Sequence, residues 1–525
     1  MKALLYFLKE ILLYPFKKDL IFFLLLWMLI ALPNCYSQRN SIVYVAYLAM
    51  MYYIIAYIVV GVANSIGIVA KVLKPILLVT STLVCLINLY CVRTYDCLLS
   101  NDFIQIIAGT NIEEASEFFA TFISWKDVLL FFLIFTISIA MAVMLPKAQR
   151  IKFGKTWIVA SGFLLVSIGA ICHNSGIIKE EFVDKARWNF SFDEVVDLRQ
   201  HLTHPKIEEN DSIHPKQIVI VLGEAFSSNH SSLYGYNKIT NPLLEKQKED
   251  GNLLVFEDVT SPCTLTTLTF KYLLNTCLVN SKDGKAWYEY TNIIEVMNAA
   301  GYYTAWISNQ AETGMYDNLP SGHARLCNES IFLRRQNNVN DYDGGLINKK
   351  ISHNHEKKCI FYHLMGQHEK FDARYPKEYD KFEANDYMSF PTHQREILAS
   401  YDNATLYNDF VVNSIMELYK GQDAVVFYLP DHALDIFDTD PDYFGHAKMT
   451  EASQAQGKKI PFMIYVSPVF KKLHSEKYEL MKYTDNLPFC TDKLIYTVMD
   501  VAGFRFTDNN DVDKYSLFQE GNQSK

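Results

Sequence analysis

Five apolar stretches crowd the first third of this 525-residue chain, and they constrain its folding more than any other feature. They lie near Leu20–Pro33, Ile42–Val62, Pro75–Val92, Val128–Leu145 and Trp157–Cys172. Each can cross a hydrocarbon layer of roughly 30 Å as a helix, provided the first begins inside the amphipathic Leu4–Phe16 segment. Lys2, Lys9, Lys17 and Lys18 sit around that segment as in a signal peptide, but no small-residue cleavage site follows at Pro33-Asn34-Cys35. The five therefore read as an N-terminal five-helix transmembrane bundle whose first span is retained.

Loop charges orient the bundle. Lys17 and Lys18 precede the first span, Lys71 and Lys74 lie between the second and third, and Lys147, Arg150, Lys152 and Lys155 lie between the fourth and fifth. The alternate loops hold only Arg39 and a mixed segment, 93–126. Positive charge stays in the cytoplasm, so everything after Cys172 is expected outside, in the periplasm of a two-membrane bacterium. The outside loop 93–126 contains Asn111–Phe119, which predicts a helix with acidic and apolar faces, suited to resting on the bilayer or to meeting a lipid headgroup.

The remaining chain has another character. Residues 174–215 are polar and read as a linker, and 216–525 alternate short apolar runs with helical segments. The runs are Ile218–Leu222, Thr304–Ile307, Cys359–Tyr362, Ala424–Leu429 and Pro461–Val466. Near-continuous apolar strands between helices predict an α/β domain with a mainly parallel central sheet. The mean hydropathy of +0.01 is then an average of two unlike parts. A net charge of -9 with no basic stripe excludes a nucleic-acid partner.

Ligands of open α/β sheets collect beyond the carboxyl ends of the strands, and three runs end there in metal-binding groups. Ile218–Leu222 leads into Gly223-Glu224, Cys359–Tyr362 into His363 and then His368, and Ala424–Leu429 into Pro430-Asp431-His432. Carboxylates and an imidazole converging from separate strands suit zinc. The threonine-rich segment Ser261–Phe270 offers either a β-favouring, N-capping run or a hydroxyl that zinc and a helix N-terminus could turn into an alkoxide nucleophile.

These residues carry a family resemblance over nearly the whole chain. Five spans followed by an outward alkaline-phosphatase-like domain resemble the bacterial phosphoethanolamine transferases. Val221–Ala225, Tyr234-Gly235-Tyr236 and Thr240-Asn241-Pro242 are similar to that family's Gly-Glu strand end, Gly-Tyr and Thr-Asn-Pro motifs. Thr264–Leu268 resembles its nucleophile segment, His363–His368 with Arg374-Tyr375-Pro376 its His-x-x-Gly-x-His block, and Tyr401-Asp402-Asn403 its Tyr-Asp-Asn helix. Asp431-His432, Gly445-His446 and the Gly109–Ala115 loop follow the same pattern.

The resemblance implies a tight zinc site of Glu224, Thr266, Asp431 and His432, with room for a second metal. It implies Thr266 as nucleophile, and His368 and His446 as catalytic and substrate-contacting groups. Asn309 would line the pocket, Asn111 and Glu114 would meet the lipid headgroup, and Tyr401 and Asp402 would be structural. The implied reaction moves phosphoethanolamine from phosphatidylethanolamine to a lipopolysaccharide acceptor, lipid A or core, through a phosphothreonine. Alternative readings are a glycerol-phosphate transferase or zinc phosphohydrolase of the same superfamily, or a catalytically dead membrane-anchored binding protein. Two departures stand out. Pro430 and Ala433 replace the family's Ser and Gly around Asp-His, which puts the local loop geometry in question. The outer domain has only Cys263, Cys277, Cys327, Cys359 and Cys490. Cys359 reads as a buried strand thiol, and a Cys263–Cys277 bridge is left open. The sparse cysteines and Trp306–Gln310 resemble the branch that modifies core sugars.

Overall fold

The computed structural model describes scattered positions between 22 and 33, then 69–99, 112–144, 205–312, 319–333, 342–352, 355–482 and 487–518. The chain divides into two compact units, one of Met1–Ile104 with Phe122–Asn189 and one of Gln105–Thr121 with Phe190–Lys525.

In the first unit, helix α1 (Val69–Tyr95) packs against helix α3 (Trp125–Met144). The Thr82 and Ser138 hydroxyls hydrogen-bond between them, both buried. Small polar pairs of this kind join helices where no hydrophobic gain is available, as in lipid. The other flank of α3 exposes Leu129, Leu130, Phe132, Leu133 and Ile137, an apolar face that water penalises and hydrocarbon accepts. Pro75–Tyr95 is by itself long and apolar enough to cross a membrane, while Ala115–Phe122 and Trp125–Met141 meet that measure only as a pair. Ile42–Val62, Trp157–Cys172, most of Leu20–Pro33 and most of the 174–215 linker lie outside the described residues.

The second unit is built on a seven-stranded sheet. Its strands are β1 (Gln217–Gly223), β2 (Leu253–Phe256), β3 (Tyr303–Ser308), β4 (Glu329–Phe332), β5 (Lys358–His363), β6 (Ala424–Pro430) and β7 (Phe462–Val466), in the order β2-β7-β6-β1-β5-β3-β4. Alternate residues of each strand feed different cores. Ile218, Ile220 and Leu222 join Trp306, Phe361, Phe427 and the helix Leu494–Ala502 on one face. Val219 and Val221 join Ile307, Tyr362, Tyr428 and the long helix α5 (Thr392–Leu418) on the other. The strands are buried on both sides, which is why they read as unbroken apolar runs.

One expectation is corrected: the sheet is mixed. Pairings β1–β5, β1–β6, β3–β5 and β3–β4 are parallel, but β7 is antiparallel to both β6 and β2. An apolar run reports burial on both faces and carries no mark of strand direction, which the connections decide. Cys359 is a fully buried thiol, and Cys277 is free, so the Cys263–Cys277 bridge is not made.

Register places the site. In the parallel β1–β6 pair, Gly223 lies opposite Pro430, so the next residues, Glu224 and Asp431, leave the sheet side by side. The chain turns sharply there: Ala225 has a φ of +58°, a left-handed conformation that costs a non-glycine residue about 1 kcal/mol. Tyr401 on α5 braces this turn. Its hydroxyl donates to the Ala225 carbonyl and accepts from the Ser227 N–H, both at 2.9 Å. Removing that hydroxyl leaves two buried backbone groups unpaired, so Tyr401→Phe should lose about 1–3 kcal/mol of unfolding free energy. A urea midpoint equal to wild type would show that the brace is not needed.

Candidate active site

Four expected site residues meet at the carboxyl edge of the sheet. Thr266 opens a short helix, α4 (Thr266–Thr269), and its Oγ1 lies 3.3 Å from Glu224 Oε1 and 3.3 Å from His432 Nε2. His432 Nε2 is 3.3 Å from Glu224 Oε1 and 3.5 Å from Asp431 Oδ2. Glu224, Asp431 and His432 are all buried, with donor atoms within 4.8 Å of one another. The other polar atoms around this cluster are occupied. Asp431 Oδ1 accepts from the N–H groups of Ala225 and His432, His432 Nδ1 contacts the Ala433 carbonyl at 3.0 Å, and Glu224 Oε2 accepts from Gln310 Nε2 at 3.1 Å. Of the carboxylate and imidazole atoms of these three residues, Asp431 Oδ2 has no hydrogen-bond partner among the described residues. Two carboxylates, an imidazole and a facing hydroxyl form an oxygen and nitrogen donor set of the kind zinc takes, and the bare Oδ2 is a buried lone pair that a cation would satisfy. The residues fit the metal.

The substitutions around Asp431-His432 leave this geometry intact: Pro430 ends β6, and the Ala433 N–H is taken by the Gly457 carbonyl at 2.8 Å. With only four residues, α4 supplies little dipole, so the threonine hydroxyl depends on its side-chain neighbours.

Burial and the neighbouring charges oppose one another in setting the charge states. It would raise Glu224, but the hydrogen bond and charge of His432, with His368 and His363 beyond, outweigh it and hold the carboxyl below its usual range. Burial and the Glu224 charge push Asp431 up to about 6. Burial opposes a charged His432, yet Asp431 and Glu224 prevail and raise it to about 10.

A second cluster flanks the first. The His446 ring stacks on His432 with centroids 4.4 Å apart, its Nδ1 lies 2.7 Å from the Thr264 carbonyl, and its Nε2 is 3.0 Å from Glu369 Oε1. His368 Nε2 is 3.7 Å from Glu369 Oε2. Burial would raise Glu369, but His446 and His368 outweigh it and hold the carboxyl well below the usual range. Gly366, with a φ of +51°, lets this loop pass Glu224: a Cβ there would lie 2.7 Å from the Glu224 carbonyl oxygen.

Other expected residues fall elsewhere. His363 ends β5 but stands outside the metal cluster, its ring against Phe270 and Trp306 and its Nδ1 3.2 Å from the Ser308 hydroxyl. Its strand-end position placed it near the edge, while strand alternation turned it into the apolar core. Asn309 is buried and its amide donates to Asp343 at 2.8 Å. Glu114 lies on helix α2 (Ile112–Phe122), and Asn111 is outside the described residues. Asp402 accepts from Tyr236 and Tyr387 and contacts His230, in keeping with a structural role.

Three contributors were missed. Gln310 reaches Glu224, Glu369 joins His368 to His446, and Asp343 accepts from the N–H groups of Met365 and Gly366, fixing the loop that passes Glu224. Glu369 follows directly on His368, a visible signal; Asp343 stands in no motif.

Residues 216–504 match the family described as Sulfatase, more than half of the chain. The chain belongs to the sulfatase family. Within it, the motif resemblance is borne out by relatives of the expected kind. Phosphoethanolamine transferase EptC of Escherichia coli K12 is 27% identical over 448 residues, 78% of this chain and 76% of that protein. Phosphoethanolamine transferase EptA of Helicobacter pylori is 26% identical over 272 residues, 49% of each. Among solved structures, the C-terminal periplasmic domain of Escherichia coli EptC in complex with Zn is 26% identical and superposes with a TM-score of 0.53, over 62% of this chain and 91% of that one. The integral membrane lipooligosaccharide phosphoethanolamine transferase A of Neisseria meningitidis shares the fold, with a TM-score of 0.65 at 16% identity over 95% of this sulfatase-family chain and 98% of that one.

The buried His363 gives a measurable pH signature. Burial depresses its pKa to about 4, so between about 6.5 and 4 the unfolded chain binds a proton that the folded chain refuses. Stability present above pH 6.5 should fall on acidification through this window, by up to about 3 kcal/mol from this group. His363→Gln should flatten the decline in urea midpoint, relative to wild type, between these pH values. Parallel pH profiles for the two proteins would contradict the assignment.

Proposed function

We propose that this chain is a zinc-dependent phosphoethanolamine transferase of the bacterial inner membrane, multi-pass, with residues 216–525 as its periplasmic catalytic domain. It moves phosphoethanolamine from phosphatidylethanolamine to a lipopolysaccharide acceptor, lipid A or core. The observation that carries this reading is the Thr266 hydroxyl, 3.3 Å from both a carboxylate and an imidazole of a buried three-residue donor set. Relatives named for the same transfer support it, as does the Zn complex of one of them.

Glu224, Asp431 and His432 would hold the metal, with Thr266 as the fourth donor. Zinc bound there would lower the pKa of the threonine hydroxyl and offset negative charge gathering at phosphorus. Deprotonated Thr266 Oγ attacks the phosphorus of the donor, and the bond to the diacylglycerol oxygen breaks. His446, whose Nε2 lies 3.0 Å from Glu369 Oε1, gives that oxygen its proton. The acceptor hydroxyl then loses its proton to His446 and attacks the phosphothreonine, releasing Thr266. Two displacements replace one difficult transfer, with ping-pong kinetics. Asn309, His368, Asn111 and Glu114 are assigned to the two substrates. The membrane spans keep the enzyme in the plane where both lipids are concentrated.

The test is to incubate the full-length protein in phosphatidylethanolamine vesicles and map adducts by mass spectrometry. Phosphoethanolamine should appear on the peptide holding Thr266, with diacylglycerol released. Thr266→Ala should lose the adduct and about a thousandfold or more in rate, and chelation should abolish both. A wild-type protein that releases no diacylglycerol, or keeps full activity without metal, sinks the proposal.

A further inference from the structure

Arg374 points its guanidinium inward, with the side chain only 2% exposed. Nε donates to the carbonyls of His368 and Glu369 at 3.2 and 3.3 Å, and Nη2 donates to the Glu369 carbonyl at 2.8 Å. The same Nη2 bonds to Glu117 Oε2 on helix α2, whose side chain is 9% exposed. A guanidinium is charged at every working pH, and carbonyl oxygens alone do not neutralise it in a buried place. Glu117 is the carboxylate that does. On the same helix Ser116 and Phe119 are exposed, so Glu117 occupies its inward side.

The two residues Arg374 holds by their backbone belong to the flanking cluster. The Glu369 carboxylate lies 3.0 Å from His446 Nε2 and 3.7 Å from His368 Nε2. A continuous set of contacts therefore runs from the Glu117 carboxylate, through the Arg374 fork, to the two imidazoles beside the metal cluster. Helix α2 comes from the segment between α1 and α3, yet Gln105–Thr121 is part of the catalytic unit. We infer that Glu117 is a positioning residue: seated on Arg374, it fixes the His368–Glu369 turn and thereby sets His446 for proton transfer. The catalytic unit is complete only when α2 is in place. Arginine is required because its planar fork spans a carboxylate and two carbonyls at once, which an ammonium does not reproduce.

The role rests on the proposed transfer for what His446 does, and the experiment separates the two. Full-length protein in vesicles of phosphatidylethanolamine and phosphatidylglycerol is examined by amide hydrogen exchange and by the rate of adduct formation on Thr266 across pH. Glu117→Gln and Arg374→Lys should each speed exchange over 367–370 by about tenfold or more, a typical coupling, with β1 unchanged. In both, kcat should fall with KM kept. Glu117→Asp, which restores the charge, should recover part of each effect. Exchange over 367–370 within about twofold of wild type in Glu117→Gln, or exchange raised equally throughout the catalytic unit, overturns the inference. Exchange needs no turnover, so it decides the positioning role even where the wild type forms no adduct.

Discussion

Two carboxylates and one imidazole buried together at the edge of an apolar sheet are the constraint on which the rest of this structure turns. Ionised groups out of water are costly unless they answer one another, and here the sum is not balanced by protein alone. The β1–β6 register places Glu224 beside Asp431, and His432 is the single cation among them. Each neighbouring feature serves this grouping. Gln310 takes the outer oxygen of Glu224, the Ala225 turn aims its N–H at Asp431, and Asp343 holds the loop that closes over Glu224. A divalent ion held among these groups would offset that negative charge and lower the pKa of the hydroxyl beside it.

Much of this site was legible because its residues follow directly on apolar runs. Ile218–Leu222 and Ala424–Leu429 announce buried strands, and whatever comes next must emerge at their carboxyl ends. Glu224, Asp431 and His432 are therefore placed by strand pattern, whereas the threonine-dense segment offers several hydroxyls and only the family resemblance singles out Thr266. What the pattern does not carry is direction, so the antiparallel β7 was unforeseen. Nor does it carry partners brought together by loops. Asp343 acts through backbone amides more than twenty residues away, and no spacing rule marks it. His363 shows the converse, since a histidine at a strand end offers a metal-binding group while the alternation of the strand turns it into the core.

The two units spend their polar groups differently. In the first unit, Thr82 and Ser138 join helices through hydroxyls, and leucines and phenylalanines of α3 face outward. In the second, hydroxyls are spent on bracing backbone, as Tyr401 does at Ala225, and large apolar side chains are gathered inward. Helix α2 carries both characters, with a buried carboxylate on one side and an exposed Phe119 on another.

The reversed direction of β7 has an architectural consequence. A parallel strand sends the chain that follows it to the catalytic edge, whereas an antiparallel strand sends the chain that precedes it. Residues 445–461 therefore cross that edge before entering the sheet, and they carry His446 and the Gly457 carbonyl that holds Ala433. Chain added ahead of Phe462 would be laid over the active site, while chain added after Val466 would emerge at the opposite rim. Length variation in this fold should thus be unequal on the two sides of one five-residue strand, with substrate selection able to evolve on the near side and mere decoration on the far side.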